Sequence, residues 1–303
     1  MRIAVLNNLR AGRSGRLVSE VLSLLRQYPD VLHAETQDIA AVPEALAELA
    51  GEEVDLLVVN GGDGSLQHTL TELLARDPTV PVPLVAPLRG GRTNTSARDL
   101  GGNRNPLKGL AGLLEAAKAD RLAERFVERA VLRVAFDKGH AVQYGMFFGA
   151  GLIRRAIALT HRLFPPGRSQ GVLGAGLMTG ALVLRLALRR TDSVLAPDKL
   201  QIVLDGEPVR EGEFRLALAT TLDHQFLNIN PFWGSGPAPV RFTCLAASAK
   251  GMRSAALGIL RGRPKPHVTP KNGYVSRNVE CAKLRLDCGF TIDGELFEPE
   301  PDE

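Results

Sequence analysis

The sequence predicts an α/β domain built on a parallel sheet, followed by a mainly antiparallel β domain. Three observations lead there. Short apolar runs alternate with leucine-rich stretches at helical spacing through the first third of the chain. Those runs are almost continuously apolar, as in strands covered on both faces. After about residue 125 the spacing changes to strand-like runs separated by Gly, Pro and Asp.

The elements follow in order. "RIAVLN" (2–7) reads as a strand, followed by a Gly/Arg loop and a helix through about Arg26. "VLHAETQ" (31–37) is a weaker strand. Pro43 opens a helix, "PEALAELA", because proline is tolerated in the first turn. "VDLLVVN" is the next strand, and leucines at helical spacing predict a helix over 66–76. "VPLVAPL" (82–88) is a further strand, with a helix from about Thr95. In the second part "RFVERAVLRVAF", "AVQYGMFFGAG", "KLQIVLDGEPV", "EFRLALATTL", "VRFTCLAA" and "AKLRLDCGFTIDGELFE" read as strands. One helical island, about 151–190, interrupts them. The expected domains are therefore 1–125 and 126–303.

Composition narrows the classes. The chain has 303 residues, 45% hydrophobic and 23% charged, as expected of a folded globular protein with room for two domains. A net charge of +4 suits an anionic ligand or a membrane surface, and equally a basic proteome. Cys244, Cys281 and Cys288 lack metal-ligand spacing and read as reduced thiols. "MRIAVLNN" is too short for a signal peptide. The longest apolar stretch, "VLGAGLMTGALVL" (172–184), falls short of the roughly 20 residues a span needs. The expectation is a cytoplasmic protein, with contact at the inner membrane face left open.

Three glycine-containing loops end strands of the first domain: "NNLRAGRSGR" (7–16), "NGGDGS" (60–65) and "PLRGGRTN" (87–94). Glycine lets backbone N–H groups approach a ligand closely. Ligands of such sheets sit beyond the carboxyl ends of the strands, where Asn8, Asp63 and the 89–94 loop all fall. Together they point to a phosphate-bearing ligand. Asp63 is out of place in a phosphate cradle. Either it caps the helix before Leu66, or it organises a Mg²⁺ ion, which takes one or two carboxylates with substrate oxygens and water.

"GGDGS" followed by "HTL", "PLRGGRTN" followed by "SARDLG", and a late "DGE" resemble the diacylglycerol kinase catalytic superfamily, which includes bacterial lipid kinases and sphingosine and ceramide kinases. NAD kinases and phosphofructokinases carry related glycine signatures. The resemblance runs from Asn8 to Glu295. It implies a Rossmann-like nucleotide domain of NAD kinase/diacylglycerol kinase type, a C-terminal β-sandwich with the helical insertion, and a cleft between the domains. It also implies roles. Asn8 matches the Asn of an Asn-Pro-x-Ser/Ala-Gly loop, with Leu9 in place of Pro. Gly61, Gly62, Asp63, Gly64 and Ser65 match the nucleotide loop, with Ser65 in place of Thr. Gly91, Arg92, Thr93 and Asn94 fall on the Gly-Thr-x-Asn loop, with Arg92 where Thr is usual. Asp293 and Glu295 match late carboxylates implicated in deprotonating the acceptor hydroxyl and in binding metal, so Asp63 and Glu295 are the implied metal ligands. His68 and Gln67 depart from the usual Glu and Asn.

A second tripeptide, Asp205-Gly206-Glu207, has the same hairpin signal. Sequence-level physics does not separate the two; the family's order picks Asp293. The island "RLFPPGRSQGVLGAGLMTGALVLRLALRR" suits a helix on an anionic membrane or a buried core helix.

The reading that results is an ATP- and Mg²⁺-dependent kinase phosphorylating a hydroxyl of a diacylglycerol-like lipid. Its partners would be the lipid and a membrane surface, with no nucleic acid, and a homodimer is left open. An NAD kinase-like enzyme and a non-catalytic nucleotide- or lipid-binding protein are the alternatives.

Overall fold

The computed structural model describes residues 1–10, 15–49, 51–163, 196–225 and 229–298. The chain divides into two compact units. The first is Met1–Arg129 with Val142–Tyr144; the second is Ala130–Ala141 with the described residues from Gly145 onward.

The first unit is a parallel four-stranded sheet in the order β2-β1-β3-β4. Its strands are β1 (Ile3–Asn8), β2 (Leu32–Thr36), β3 (Leu56–Gly61) and β4 (Leu84–Arg89). Every residue of β1 and β3 is buried, as continuous apolar runs require. Between them lie α1 (Gly15–Leu25), α2 (Val42–Leu49), α3 (Asp63–Leu74), α4 (Thr95–Asp99) and α5 (Pro106–Lys118). Two cores flank the sheet. Val5, Val58 and Leu88 pack with Val21, Leu110 and Leu114 on one face. Leu6, Leu57 and Val59 pack with Val42, Leu46 and Leu73 on the other.

Two helix boundaries differ from expectation. The 66–76 helix begins at Asp63, because the Leu66 N–H already donates to the Gly62 carbonyl at 3.1 Å. An acid in this first turn also suits the helix dipole. The helix expected from Thr95 is two helices. The chain breaks after Asp99 and restarts at Asn105, whose side chain accepts from the N–H groups of Leu107 and Lys108, with Pro106 next to it.

The second unit is an eight-stranded antiparallel sheet. After two short strands, β5 (Leu132–Val134) and β6 (Gln143–Gly145), come β7 (Phe147–Gly151), α6 (Leu152–Leu163), β8 (Asp198–Leu204), β9 (Glu207–Thr220) and β10 (Val240–Ala246). Then follow α7 (Met252–Leu260), β11 (Tyr274–Val279), β12 (Ala282–Leu286), β13 (Phe290–Ile292) and β14 (Glu295–Phe297). The 14-residue β9 joins the layers of the sandwich: it pairs β8 up to Phe214, then β10 and β7 up to Thr220. Side chains from both parts meet in one core, with Leu200, Ile202 and Leu204 against Phe148, Ala217 and Phe242.

Neither α7 nor β11 is among the elements read from the sequence. The Ala-rich "MRSAALGIL" carries Ala255 and Ile259 one turn apart, a helical signal that the strands around it mask. Of the expected island, α6 is a helix, whereas 164–190 lie outside the described residues. Among the described residues no helix is long and apolar enough to cross a membrane. Cys244 is buried, Cys288 half-buried and Cys281 exposed, all as free thiols. Burial pushes the Cys244 thiol up to about 12 and Cys288 to about 11, so both are protonated at neutral pH.

Candidate functional site

The parallel register brings three strand ends level. Asn7 of β1 lies opposite Asn60 of β3, and Gly61 lies opposite Arg89 of β4. The Asn60 Nδ2 donates to the Asn7 Oδ1 at 2.6 Å. One position further, the Asn8 Nδ2 donates to the Ser65 Oγ at 2.9 Å, and the Asn8 Oδ1 accepts from the Arg10 N–H. Asn8 and Ser65 are both buried. The hydroxyl at position 65 therefore ties the first loop to the second. Residues 11–14 of the first loop lie outside the described residues.

The second and third loops touch through backbone. A Cβ on Gly61 would sit 2.5 Å from the Ser65 side chain, and one on Gly90 would sit 2.7 Å from the Asn60 Oδ1. A Cβ on Gly91 would collide with the Gly62 Cα. Only glycine permits this approach. Asn94 fixes the third loop: in the left-handed conformation (φ 51°) its side chain accepts from the Gly91 N–H at 2.7 Å and donates to the Gly91 carbonyl at 2.8 Å.

Asp63 locks the two loops together. Its Oδ2 accepts from the Thr93 hydroxyl at 2.6 Å and the Thr95 N–H at 3.0 Å, and its Oδ1 from the Ser96 N–H at 3.0 Å. The acid therefore caps a helix, but α4 across the site rather than the one it begins. This tie carries the third loop's Thr93 as well. Oδ1, with a single donor among the described residues, retains a lone pair for a hard cation or its water. The oxygen chemistry thus fits Mg²⁺ through Asp63, although among the described residues no three His, Cys, Asp or Glu side chains cluster around a common point. Gly64 and Arg92 are half-buried beside these groups.

Sequence reasoning missed the work of Gln67. Fully buried in α3, it donates to the Thr71 Oγ1 at 3.2 Å and the Gln143 Oε1 at 3.0 Å. Thr71 in turn accepts from the Tyr144 N–H at 2.9 Å. This pair of polar residues holds the returning segment 142–144 within the first unit. A buried Gln beside a Thr at i+4 is the signal that was there to be found. His68 is half-buried; burial lowers its pKa against the opposing pull of Glu72, so the imidazole is neutral at pH 7.

In the second unit Asp293 and Gly294, both at positive φ (47° and 95°), turn β13 into β14. The Asp293 Oδ2 accepts from the Met146 N–H at 2.8 Å, and its own N–H donates to the Phe147 carbonyl at 2.9 Å. The turn sits tightly against the end of β6, since a Cβ on Gly145 would lie 2.7 Å from Asp293 Oδ2. Glu295 is half-buried, and burial raises its pKa.

With this geometry in view, residues 2–124 match the family model of the diacylglycerol kinase catalytic domain. That match falls within the first unit. No curated protein matches the chain in sequence. A Bacillus anthracis str. Sterne protein provisionally described as a diacylglycerol kinase shares the fold at a TM-score of 0.65 and 16% identity, over 98% of this chain and 93% of that one. A further crystal structure of a diacylglycerol kinase from that organism gives 0.59 and 16%, over 96% and 89%. An Archaeoglobus fulgidus NAD kinase in complex with ATP gives 0.47 and 15%, over 99% and 87%. The resemblance read from the glycine signatures holds, and so does the pairing of a parallel α/β unit with an antiparallel β unit. A phosphotransferase of kinase type is the activity the family-model match supports.

Proposed function

We propose that the protein transfers the γ-phosphoryl group of ATP, with Mg²⁺, to a hydroxyl of a diacylglycerol-like lipid. The observation that carries this reading is the match of residues 2–124 to the diacylglycerol kinase catalytic domain, which includes glycine loops that meet backbone to backbone at Gly62 and Gly91.

The residues divide the work. Backbone N–H groups of Gly61–Ser65 and of the loop around Gly91 offer donors to phosphate oxygens. Asn8, Thr93 and Asn94 hold those loops in shape through the bonds given above. Arg92 adds a cation able to pair with phosphate bidentately. Asp63 keeps the loops joined and would offer its carboxylate to the ion; Glu295 is the second carboxylate that the family resemblance implies. Mg²⁺ would neutralise charge building on the transferred phosphoryl group. Asp293 orients the acceptor hydroxyl and takes its proton. In phosphoryl transfer, placement contributes more than base strength.

The test is transfer of label from γ-labelled ATP with Mg²⁺ to a total lipid extract supplemented with NAD, followed by organic/aqueous partition. Label in the organic phase that is lost in Asp293→Asn supports the lipid kinase. Label confined to NADP in the aqueous phase would replace it with an NAD kinase. Nucleotide binding with no label in either phase would leave a binding protein.

A further inference from the structure

Between Asp223 and Glu280 the chain has eight Lys and Arg and no carboxylate. Six of these cations, Lys250, Arg253, Arg261, Arg263, Lys265 and Lys271, are exposed. None forms an ion pair among the described residues; the other two, Arg241 and Arg277, face Asp223 and Glu207.

The six are gathered by the fold into one substructure. In α7, Ala255 and Ile259 point inward to a core with Leu245, Val268 and Tyr274. The opposite stripe, at i, i+4 and i+8, is Arg253, Leu257 and Arg261. Leu257 is 57% exposed, an apolar tip between two guanidinium groups. The chain then reverses: the Gly262 N–H donates to the Ile259 carbonyl and the Arg263 N–H to the Gly258 carbonyl at 2.8 Å. The returning strap lies along the helix, with His267 Nε2 3.3 Å from the Ser254 Oγ. It closes where the Lys250 N–H donates to the Asn272 carbonyl and the Tyr274 hydroxyl donates to the Lys250 carbonyl at 2.8 Å. Lys250 and Lys271 therefore sit beside the helix that carries Arg253 and is capped by Arg261.

We propose that this face, α7 with the strap 261–271, docks the protein on an anionic lipid bilayer. Basic residues supply long-range attraction to anionic headgroups, and Leu257 enters the headgroup boundary. The same charge would attract a nucleic acid, but the rings nearby are turned away. Among the described residues nearby, Phe232 is buried and Trp233 is half-buried against the Leu245–Tyr274 core, so neither offers a free face for base stacking. The choice of a bilayer over another polyanion rests on the lipid-kinase reading; the docking site itself is new to it.

The experiment is co-sedimentation of the full chain with phosphatidylglycerol or phosphatidylcholine vesicles. Arg253→Glu/Arg261→Glu is compared with Lys283→Glu/Arg285→Glu, which makes the same change in net charge on exposed positions of β12. Circular dichroism verifies that both variants fold. Phosphorylation of a diacylglycerol in neutral detergent micelles is measured alongside. The wild type should bind phosphatidylglycerol vesicles only. The α7 variant should lose at least about 25-fold in partitioning, at roughly fivefold for each of two cations, while the β12 variant keeps its binding and both keep micellar activity. Leu257→Asp should weaken binding even at high salt. Equal loss in both double variants, no loss in either, or no wild-type binding would overturn the proposal. So would tighter binding of single-stranded DNA through the same two arginines. α7-dependent vesicle binding without lipid phosphorylation would retain the docking site and remove the kinase reading.

Discussion

Asp205-Gly206-Glu207 and Asp293-Gly294-Glu295 fold into the same hairpin and then part company. Both aspartates sit at positive φ (50° and 47°) with a glycine at positive φ behind them (84° and 95°), as a two-residue type I′ connection requires. The first turn is exposed throughout, and the second is half-buried throughout. Asp205 spends its Oδ1 on the N–H groups of Glu280 and Cys281, which tightens the neighbouring turn. Glu207 reaches exposed Arg277 at 3.2 Å. Asp293 instead bonds to the backbone of Met146 and of Phe147, where β7 begins, and Glu295 has its pKa raised by burial. A tripeptide thus fixes the turn, whereas surroundings drawn from distant sequence decide what its carboxylates can do.

The sharpest way to break this comparison is to neutralise each aspartate. Asp293→Asn should lower kcat by at least about 10²-fold, the range seen when a proton acceptor is lost, with nucleotide affinity unchanged. Asp205→Asn should leave turnover unaltered. Equal effects from the two would erase the distinction. Crowding offers the next test. Gly145→Ala pushes a methyl group toward Ile292 and Asp293 Oδ2, which should cost about 1–3 kcal/mol as overpacking and carry turnover down with it. Gly206→Ala meets no neighbour within 4 Å; it should cost about 1–2 kcal/mol through its left-handed backbone alone and spare activity. Thermal melts beside steady-state kinetics separate the two. A smaller loss, about 1 kcal/mol, is expected from Asp205→Ala, which removes the acceptor of Glu280 and Cys281 and should lower Tm without touching kcat.

The same contrast explains what was legible in the sequence. The parallel sheet was legible because its central strands, β1 and β3, are buried on both faces, and an apolar run records that directly. The glycine loops were legible because close backbone approach admits one residue type, as at Gly91 against Gly62. The direction of the Asp63 bonds was not: its partners, Thr93, Thr95 and Ser96, lie some thirty positions on and are fixed by how β4 pairs with β3. Gln67 was read as a departure from a pattern, because its partner Gln143 is brought beside it only by the return of residues 142–144. α7 was missed for a local reason, an Ala-rich helix set among strands.

The smallest expected effect concerns the two glutamates and depends on pH. Burial raises the Glu295 pKa in the folded state, so its neutral form is the one the fold prefers. Its contribution to stability is therefore full below the unfolded carboxylate pKa of about 4.3, and is lost as pH rises through the folded value. Glu295→Gln should melt with the wild type near pH 4 and above it at pH 7.5. Glu207→Gln removes an exposed ion pair worth about 0–1 kcal/mol and should melt at or slightly below the wild type at neutral pH. Melting curves of both variants across that range give the sign. A Glu295→Gln that melts below the wild type at pH 7.5 would mean that the ionised carboxylate is held by a favourable partner. The two hairpins would then differ in burial but not in how they treat charge.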